Sequence, residues 1–250
     1  MTWDLTPNIA AGFFDGDGTV DIVRGCITAR IAQSCRNRDN IVPFMSMFGG
    51  SLYTYASNNP SRDSTCEWTI RGAKAYEFLK FIEPSLLKSS KRSQISSILS
   101  TNFEDLRGIG KSVHSKSILV ERQRTKELLK VLKRSNDNPV DPSVITDEYA
   151  AGFFTAEGCV ARKTKNTFRI VFSQKDNTIL HALRDHFRCG NINGHRFELT
   201  GSNALRVMNI MLSFLGPVKR FQVELALSAT KDNFEHIYTQ IQNTKGRQLM

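Results

Sequence analysis

Two acids, Asp17 and Glu157, are the side chains whose type and spacing best fit chemistry, because each closes one copy of a repeated stretch. Ala10-Ala11-Gly12-Phe13-Phe14-Asp15-Gly16-Asp17-Gly18 returns as Ala150-Ala151-Gly152-Phe153-Phe154-Thr155-Ala156-Glu157-Gly158, 140 positions on (17 to 157). Both acids fall where a helix is ending. A carboxylate there meets the negative end of the helix dipole, at a cost of roughly 0.3 to 1 kcal/mol. Two such helices side by side would also set like charges against one another. A cation shared between the acids removes both penalties. Hard oxygen ligands, with no cysteine–histidine ligand cluster in the chain, point to Mg²⁺, with Mn²⁺ as a substitute.

The elements that must place these acids are legible around them. Ala10, Ala11 and Gly12, with Ala150, Ala151 and Gly152, strip a helix face of bulk, so that two backbones can approach closely. Phe13, Phe14, Phe153 and Phe154 then bury against the rest of each half. Thr6-Pro7 reads as an N-cap and first helical position, and Thr146-Asp147-Glu148 as an N-cap followed by acids in the first turn. Gly18 and Gly158 are expected to leave the helix with positive φ. An EF-hand reading of Asp15, Asp17, Thr19 and Asp21 fails, because Val20 stands where glycine is needed and Cys26 where the bidentate Glu belongs. An ordinary pair of buried helices with capping acids explains one copy but not two in matching frames.

The rest of the chain repeats in the same way. Alternating segments 19–24 and 26–36 around Gly25, and 159–165 and 167–175 around Asn166, read as hairpins. Helical patterns at 39–48 and 177–187, closed by Gly49 and Gly190, precede second hairpins at 51–56 with 65–71 and at 191–193 with 196–200. Helices are expected at 73–82 and 91–103, at 203–215 and 219–229, and finally at 233–242. A charged helix over 115–134 leads into Asn136-Asp137-Asn138-Pro139-Val140-Asp141-Pro142, a linker by composition.

With 34 Lys plus Arg against 24 Asp plus Glu, the chain carries a net charge of +10, which favours an anionic partner. No apolar stretch is long enough to span a bilayer, and no leader peptide is read at the start. Five cysteines, an odd number without a C-x-x-C pair, suggest a reducing compartment and no disulfide framework. A second matched pair is Lys91-Arg92-Ser93-Gln94 and Lys219-Arg220-Phe221-Gln222, basic residues at helix starts where the dipole disfavours them.

The doubled motif, in halves of helix, hairpin, helix, hairpin and helices, resembles the LAGLIDADG homing endonucleases that carry both motifs in one chain. The letters differ, with Ala for the first Leu and Phe-Phe for Leu-Ile. The resemblance implies an α+β fold: two pseudo-symmetric αββαββα halves, antiparallel sheets forming a DNA-binding saddle, and the motif helices paired at the interface. The halves would span 1–135 and 146–250, joined by a linker at 136–145. It also implies a metal-dependent endodeoxyribonuclease in which Asp17 and Glu157, with the carbonyls of Gly16 and Ala156, hold the metal. Lys91 and Lys219 would stabilise transition-state charge or polarise water, with Lys88 a rival in the first half. A polar residue ending the second strand of each half would be Gln174 in one and Cys35 in the other.

Strand alternation supplies candidate DNA contacts: Arg24, Thr28, Arg30, Glu67, Thr69 and Arg71 in the first half, and Lys163, Lys165, Thr167, Arg169, Lys175, Arg196 and Glu198 in the second. Thr28, Arg30 and Ala32 are expected to match Thr167, Arg169 and Val171 as outward positions. A β-ribbon fits a major groove, where Arg30 and Arg169 would read guanine. The expected partner is a long, partially palindromic DNA duplex met by a monomer, in an organelle by resemblance. Two other readings stay open: an RNA maturase acting on intron RNA through Arg122, Arg124, Lys126, Lys130, Lys133 and Arg134, and a catalytically inactive DNA-binding regulator.

Overall fold

One order of elements occurs twice. The structure, a computed structural model, describes residues 3–57, 59, 63–101, 116–135 and 138–245. The first half runs α1 (Pro7–Asp17), β1 (Gly18–Val23), β2 (Cys26–Ser34), a 3₁₀ segment (Cys35–Asn40), α2 (Val42–Phe48), β3 (Ser51–Tyr55), β4 (Thr65–Arg71), α3 (Ala73–Ile82), α4 (Ser89–Ser100) and α5 (Lys116–Lys133). The second runs α6 (Asp147–Glu157), β5 (Gly158–Thr164), β6 (Thr167–Ser173), α7 (Thr178–Phe187), β7 (Asn191–Asn193), β8 (Arg196–Thr200), α8 (Gly201–Met211), α9 (Pro217–Leu227) and α10 (Phe234–Thr244). Each half thus extends the αββαββα order by two helices.

Each half builds a four-stranded antiparallel sheet, ordered β1-β2-β4-β3 and β5-β6-β8-β7. Alternation drives one face of each sheet inward: Val20, Ile22, Ile27, Ala29, Ile31, Trp68 and Ile70 in the first half, and Val160, Ile170, Phe172, Phe197 and Leu199 in the second, are all buried. The motif helices cover these faces. Phe154 meets Phe172 of β6 at 5.0 Å, and Phe14 meets Phe78 of α3, which itself packs edge-on against Trp68 of β4, at 5.5 Å. Such aromatic pairs add about 0.5 to 1.5 kcal/mol beyond burial.

Both helix starts follow the sequence. The Thr6 and Thr146 hydroxyls accept from the backbone N–H of Ile9 (3.2 Å) and Tyr149 (3.1 Å). The helix ends do not. Gly18 and Gly158 take extended backbone, with φ of −77° and −84°, rather than positive φ. They are glycines for want of space, since a Cβ at either would overlap the ring of Phe14 or Phe154. Likewise α7 ends on Arg188 in the left-handed region, φ 53°, ahead of Gly190.

Other boundaries move for local reasons. The expected helix at 39–48 is a 3₁₀ turn followed by α2, which starts at Val42 with Pro43 in its first turn. Helix α4 begins at Ser89 and α9 at Pro217, which makes Lys91 and Lys219 third-position residues in their helices. Phe103, Ser115, Asn136 and Asp137 lie outside the described residues. The cysteines also depart from expectation: Cys35 and Cys66 form a disulfide, their Cα atoms 4.8 Å apart. Antiparallel pairing of β2 with β4 brings them together, because Ser34 is opposite Thr65 and Cys35 follows directly. In α5, Arg122, Thr125 and Leu129 are buried, with Arg122 lying against the Gly25 turn, so the basic run is not one solvated face.

Candidate metal centre and nucleic-acid interface

The site is made by the crossing of α1 and α6. A Cβ on Gly12 would overlap the Tyr149 carbonyl oxygen, and one on Gly152 the Ile9 carbonyl oxygen. The two backbones therefore touch without side chains between them. At the acidic ends, a Cβ on Gly16 would stand 2.5 Å from Ala156 Cβ and 3.0 Å from Glu157 Cγ. The crossing is pinned at its other end as well, where Thr6 and Asn8 donate to Glu148 Oε2 at 2.9 and 3.1 Å.

Asp17 is held by Gln33, whose Nε2 donates to Asp17 Oδ2 at 2.6 Å. Burial pushes the Asp17 carboxyl up to about 7; the Gln33 bond opposes this, while the like charge of Glu157 adds to it. Burial also raises Glu157, opposed by the charges of Lys88, Lys91 and Lys219. Two half-buried acids at helix C-termini, repelling one another, form a site that a divalent cation relieves.

The basic pair is placed symmetrically. Lys91 Nζ donates to three carbonyls at the end of α1: Phe14 (2.5 Å), Gly18 (2.8 Å) and Asp15 (3.1 Å). Lys219 Nζ donates to the carbonyl of Gly158. Each ammonium caps a motif helix and offsets the negative dipole end to which the acids add. Burial lowers Lys219 to about 8. Lys88, the rival, is the strongest single charge acting on Glu157. The glutamines of the same motif fasten the last helix of each half: Gln94 Nε2 donates to the Leu129 carbonyl at 2.9 Å, and Gln222 Nε2 to Thr244 Oγ1 at 2.8 Å.

Asp15 and Thr155, two residues before each acid, position the loops that lead to these lysines. Asp15 Oδ2 accepts from the N–H of Leu87 (2.9 Å) and Lys88 (3.2 Å), and Thr155 Oγ1 accepts from the N–H of Gly216 at 3.1 Å.

On the outward sheet faces, Asp21, Thr28 and Arg71 form one cross-strand row; Thr19, Arg30, Thr69 and Ser51 form the next; Ala32, Glu67 and Tyr53 form a third. The second half aligns Ala161, Arg169 and Thr200, then Cys159, Val171, Glu198 and Asn191, then Ser173, Arg196 and Asn193. Arg24, Arg71, Lys163, Lys165, Thr167, Lys175 and Arg196 are exposed as expected. Thr28 and Thr69 are buried instead: Thr28 lies between Asp21 and Arg71, and Thr69 lies beside Arg30 and donates its hydroxyl to Glu67 Oε1 at 3.0 Å. Arg169 is tied to Glu198 at 3.0 Å. Counted from the acids, Arg169 matches Thr28, and Arg30 matches Val171, two residues away from the pairing expected.

No family model matches the sequence, and no curated protein matches it. Solved structures do. The complex of the LAGLIDADG homing endonuclease I-GzeII with its DNA target aligns over 98% of this chain and 99% of its own, at 17% identity and a TM-score of 0.62. The meganuclease I-SmaMI bound to uncleaveable DNA aligns over 97% of both chains, at 16% identity and a TM-score of 0.60. I-SmaMI bound to uncleaved DNA in the presence of calcium ions aligns over 97% of this chain and 98% of its own, at 14% identity and a TM-score of 0.56. The chain has the LAGLIDADG homing endonuclease fold.

By sheet register, the residue of the first half that matches Gln174 is Gln33 and not Cys35. Gly18 faces Ile31, and Gly158 faces Phe172, so two residues further along β2 and β6 stand Gln33 and Gln174. Cys35 lies two residues beyond Gln33, its sulfur bridged to Cys66. Gln174 Oε1 accepts from its neighbour Lys175 N, and its Nε2 is buried without a partner, so only Gln33 holds an acid. Tyr53 and Tyr55, outward on β3 and 42% and 51% exposed, were also absent from the expected interface. Alternation from Leu52, half-buried on the core side, would have exposed them.

The donor set fits a hard cation. Asp17 and Glu157 are hard oxygen donors at neighbouring helix ends, and among the described residues no three His, Cys, Asp or Glu cluster together.

Proposed function

We propose that this protein is a site-specific endonuclease that hydrolyses both strands of a long DNA duplex with a divalent metal, Mg²⁺ by choice and Mn²⁺ as a substitute. The observation that carries the reading is the meeting of Asp17 and Glu157 at the ends of two helices in close backbone contact, both carboxyls raised by burial and that of Asp17 also by the like charge of Glu157. A pure DNA binder gains nothing from two such anions. The DNA complexes of I-GzeII and I-SmaMI support a duplex as the partner, and the calcium ions with I-SmaMI support a divalent ion.

Asp17 and Glu157, with the carbonyls of Gly16 and Ala156, would hold the metal, which when bound supplies Lewis acidity towards water and the leaving oxygen. Gln33 fixes the rotamer of Asp17. Lys91 and Lys219 keep the helix ends neutralised, and Lys88 lends positive charge on the side of Glu157. One chain supplies both acids, so a monomer suffices. Thr28 against Arg169 and Arg30 against Val171 make the two reading faces chemically unlike, which favours a target that is only partly palindromic.

The test is cleavage of a randomised long-duplex library with Mg²⁺, followed by sequencing of the ends. Selective double-strand breaks in wild type, lost in Asp17→Asn, support the reading. Binding without cleavage would favour the regulator, and neither would leave the RNA alternative.

A further inference from the structure

Contacts other than the disulfide also bring the segments of Cys35 and Cys66 together. Cys35 N donates to the Ser64 carbonyl at 2.8 Å, Ser34 Oγ donates to Asp63 Oδ2 at 3.0 Å, and Arg36 pairs with Asp63 at 2.7 Å. Next to them, the β2–β4 ladder runs from Thr28 with Arg71 to Ser34 with Thr65. These contacts hold the two cysteines within bridging reach whether or not their sulfurs are joined. Cys35 is half-exposed while Cys66 is buried, the division of labour between a thiol that meets an external reagent and one that resolves the product. The other three cysteines, Cys26, Cys159 and Cys189, are free.

The position of the pair connects it to the acids. Gln33 is the direct cross-strand partner of Cys66, and both are buried on the inward face. Gln33 Nε2 holds Asp17, while Gln33 Oε1 is buried with no hydrogen-bond partner. A reduced Cys66 regains an S–H donor on the same inward face and in the same cross-strand pair as that acceptor, with Thr54 Oγ1 3.5 Å from its sulfur as the competing partner; a bridged Cys66 has none.

We propose that Cys35 and Cys66 form a reversible redox site, taking small-molecule disulfides as co-reactant, whose state tunes Gln33 and through it Asp17. The Cys35 thiolate attacks the external disulfide, forming a mixed disulfide and releasing one small thiolate. The Cys66 thiolate then attacks the Cys35 sulfur and releases the second. The protein loses two electrons and two protons, and the small disulfide becomes two thiols. The reduced form is the faster nuclease. This coupling rests on the nuclease reading above; the thiol chemistry does not.

The experiment titrates the full-length protein between reduced and oxidised glutathione, counting alkylatable thiols by mass spectrometry and measuring cleavage at each point. Oxidation should protect two thiols, mapped to Cys35 and Cys66, slow cleavage about two- to five-fold, and be reversed by a dithiol. Cys35→Ser, at the half-exposed position, should cleave at the reduced rate under all conditions, and Cys66→Ser likewise. Gln33→Met should still form the bridge but lose the dependence of rate on redox state. Thiols that stay alkylatable, or equal rates in both states, overturn the proposal. A pair that titrates in a protein that cleaves nothing defeats the nuclease reading and the coupling while leaving the thiol site standing.

Discussion

Tyr149, in the second half, donates its hydroxyl to Asp15 Oδ2 in the first at 2.7 Å, so one buried carboxylate binds the partner helix and the Leu87–Lys88 loop at once. Burial raises this carboxyl, opposed by Lys91, by Tyr149 and by the two loop N–H groups. Tyr149→Phe removes one donor to a buried acid. We expect a loss of about 1.5 to 3 kcal/mol in denaturant unfolding. Cleavage should fall as well, because the loop carrying Lys88 loses its reference point. An unchanged midpoint would mean that the two halves do not meet through this bond.

The glycines at the crossing set a steeper test. Gly12→Ala and Gly152→Ala each drive a methyl group into a backbone carbonyl of the opposing helix, which no side-chain rotation relieves. Overpacking of this kind costs about 3 kcal/mol or more. Gly194→Ala is the control: its φ is 56° and its Cβ would meet nothing within 4 Å, so only the backbone penalty of about 1 to 2 kcal/mol remains. Equal costs at Gly12 and Gly194 would contradict the close approach.

The raised acids make stability depend on pH in a definite sense. Asp17 has its folded value lifted from 3.8 to about 7, so the stability it contributes is full below pH 4 and is lost as pH rises through 7. Glu157 is shifted in the same direction. In chelator, the melting temperature of wild type should therefore fall between pH 5 and 8, and that of Asp17→Asn should fall less, by a few degrees. Added Mg²⁺ should restore wild type at pH 8 and do little for the variant.

Gln33 is expected to matter and Cys35 not. Replacing Gln33 by Leu removes the only side chain hydrogen-bonded to Asp17 among the described residues, and such supporting partners are worth roughly 10- to 100-fold in metal affinity or activity. Under reducing conditions Cys35→Ser should cleave like wild type. The comparison is made on one target by single-turnover rates, and a reversed order would restore Cys35 to the site.

The order of elements, the paired helices and both acids were legible because they depend on local rules: threonine caps, two-residue alternation and a repeat kept in frame from Thr6 to Glu157. Gln33 was hidden by a frame error of two residues, from Cys35 to Gln33. The β5–β6 pairing shifts register between Arg162 and Thr164, which changes the offset between halves from 140 before the hairpin to 141 after it (33 to 174). A constant offset of 140 carried back from Gln174 lands on Ser34, and pairing Gln174 with Cys35 uses 139, so neither count reaches Gln33. The Cys35–Cys66 bridge was invisible for another reason, since cross-strand neighbours 31 apart in sequence are set by sheet register and not by spacing. Burial of Thr28 and Thr69 likewise depends on which side chains flank them across the sheet.

The most direct measurement takes a plasmid bearing the selected target and follows nicked and linear products with Mg²⁺ for wild type, Asp17→Asn and Glu157→Gln. Wild type should linearise the plasmid, and either single variant should fail to do so, because one ion site needs both carboxylates. Linear product from either variant at the wild-type rate would show that the acids at the two helix ends do not share the metal.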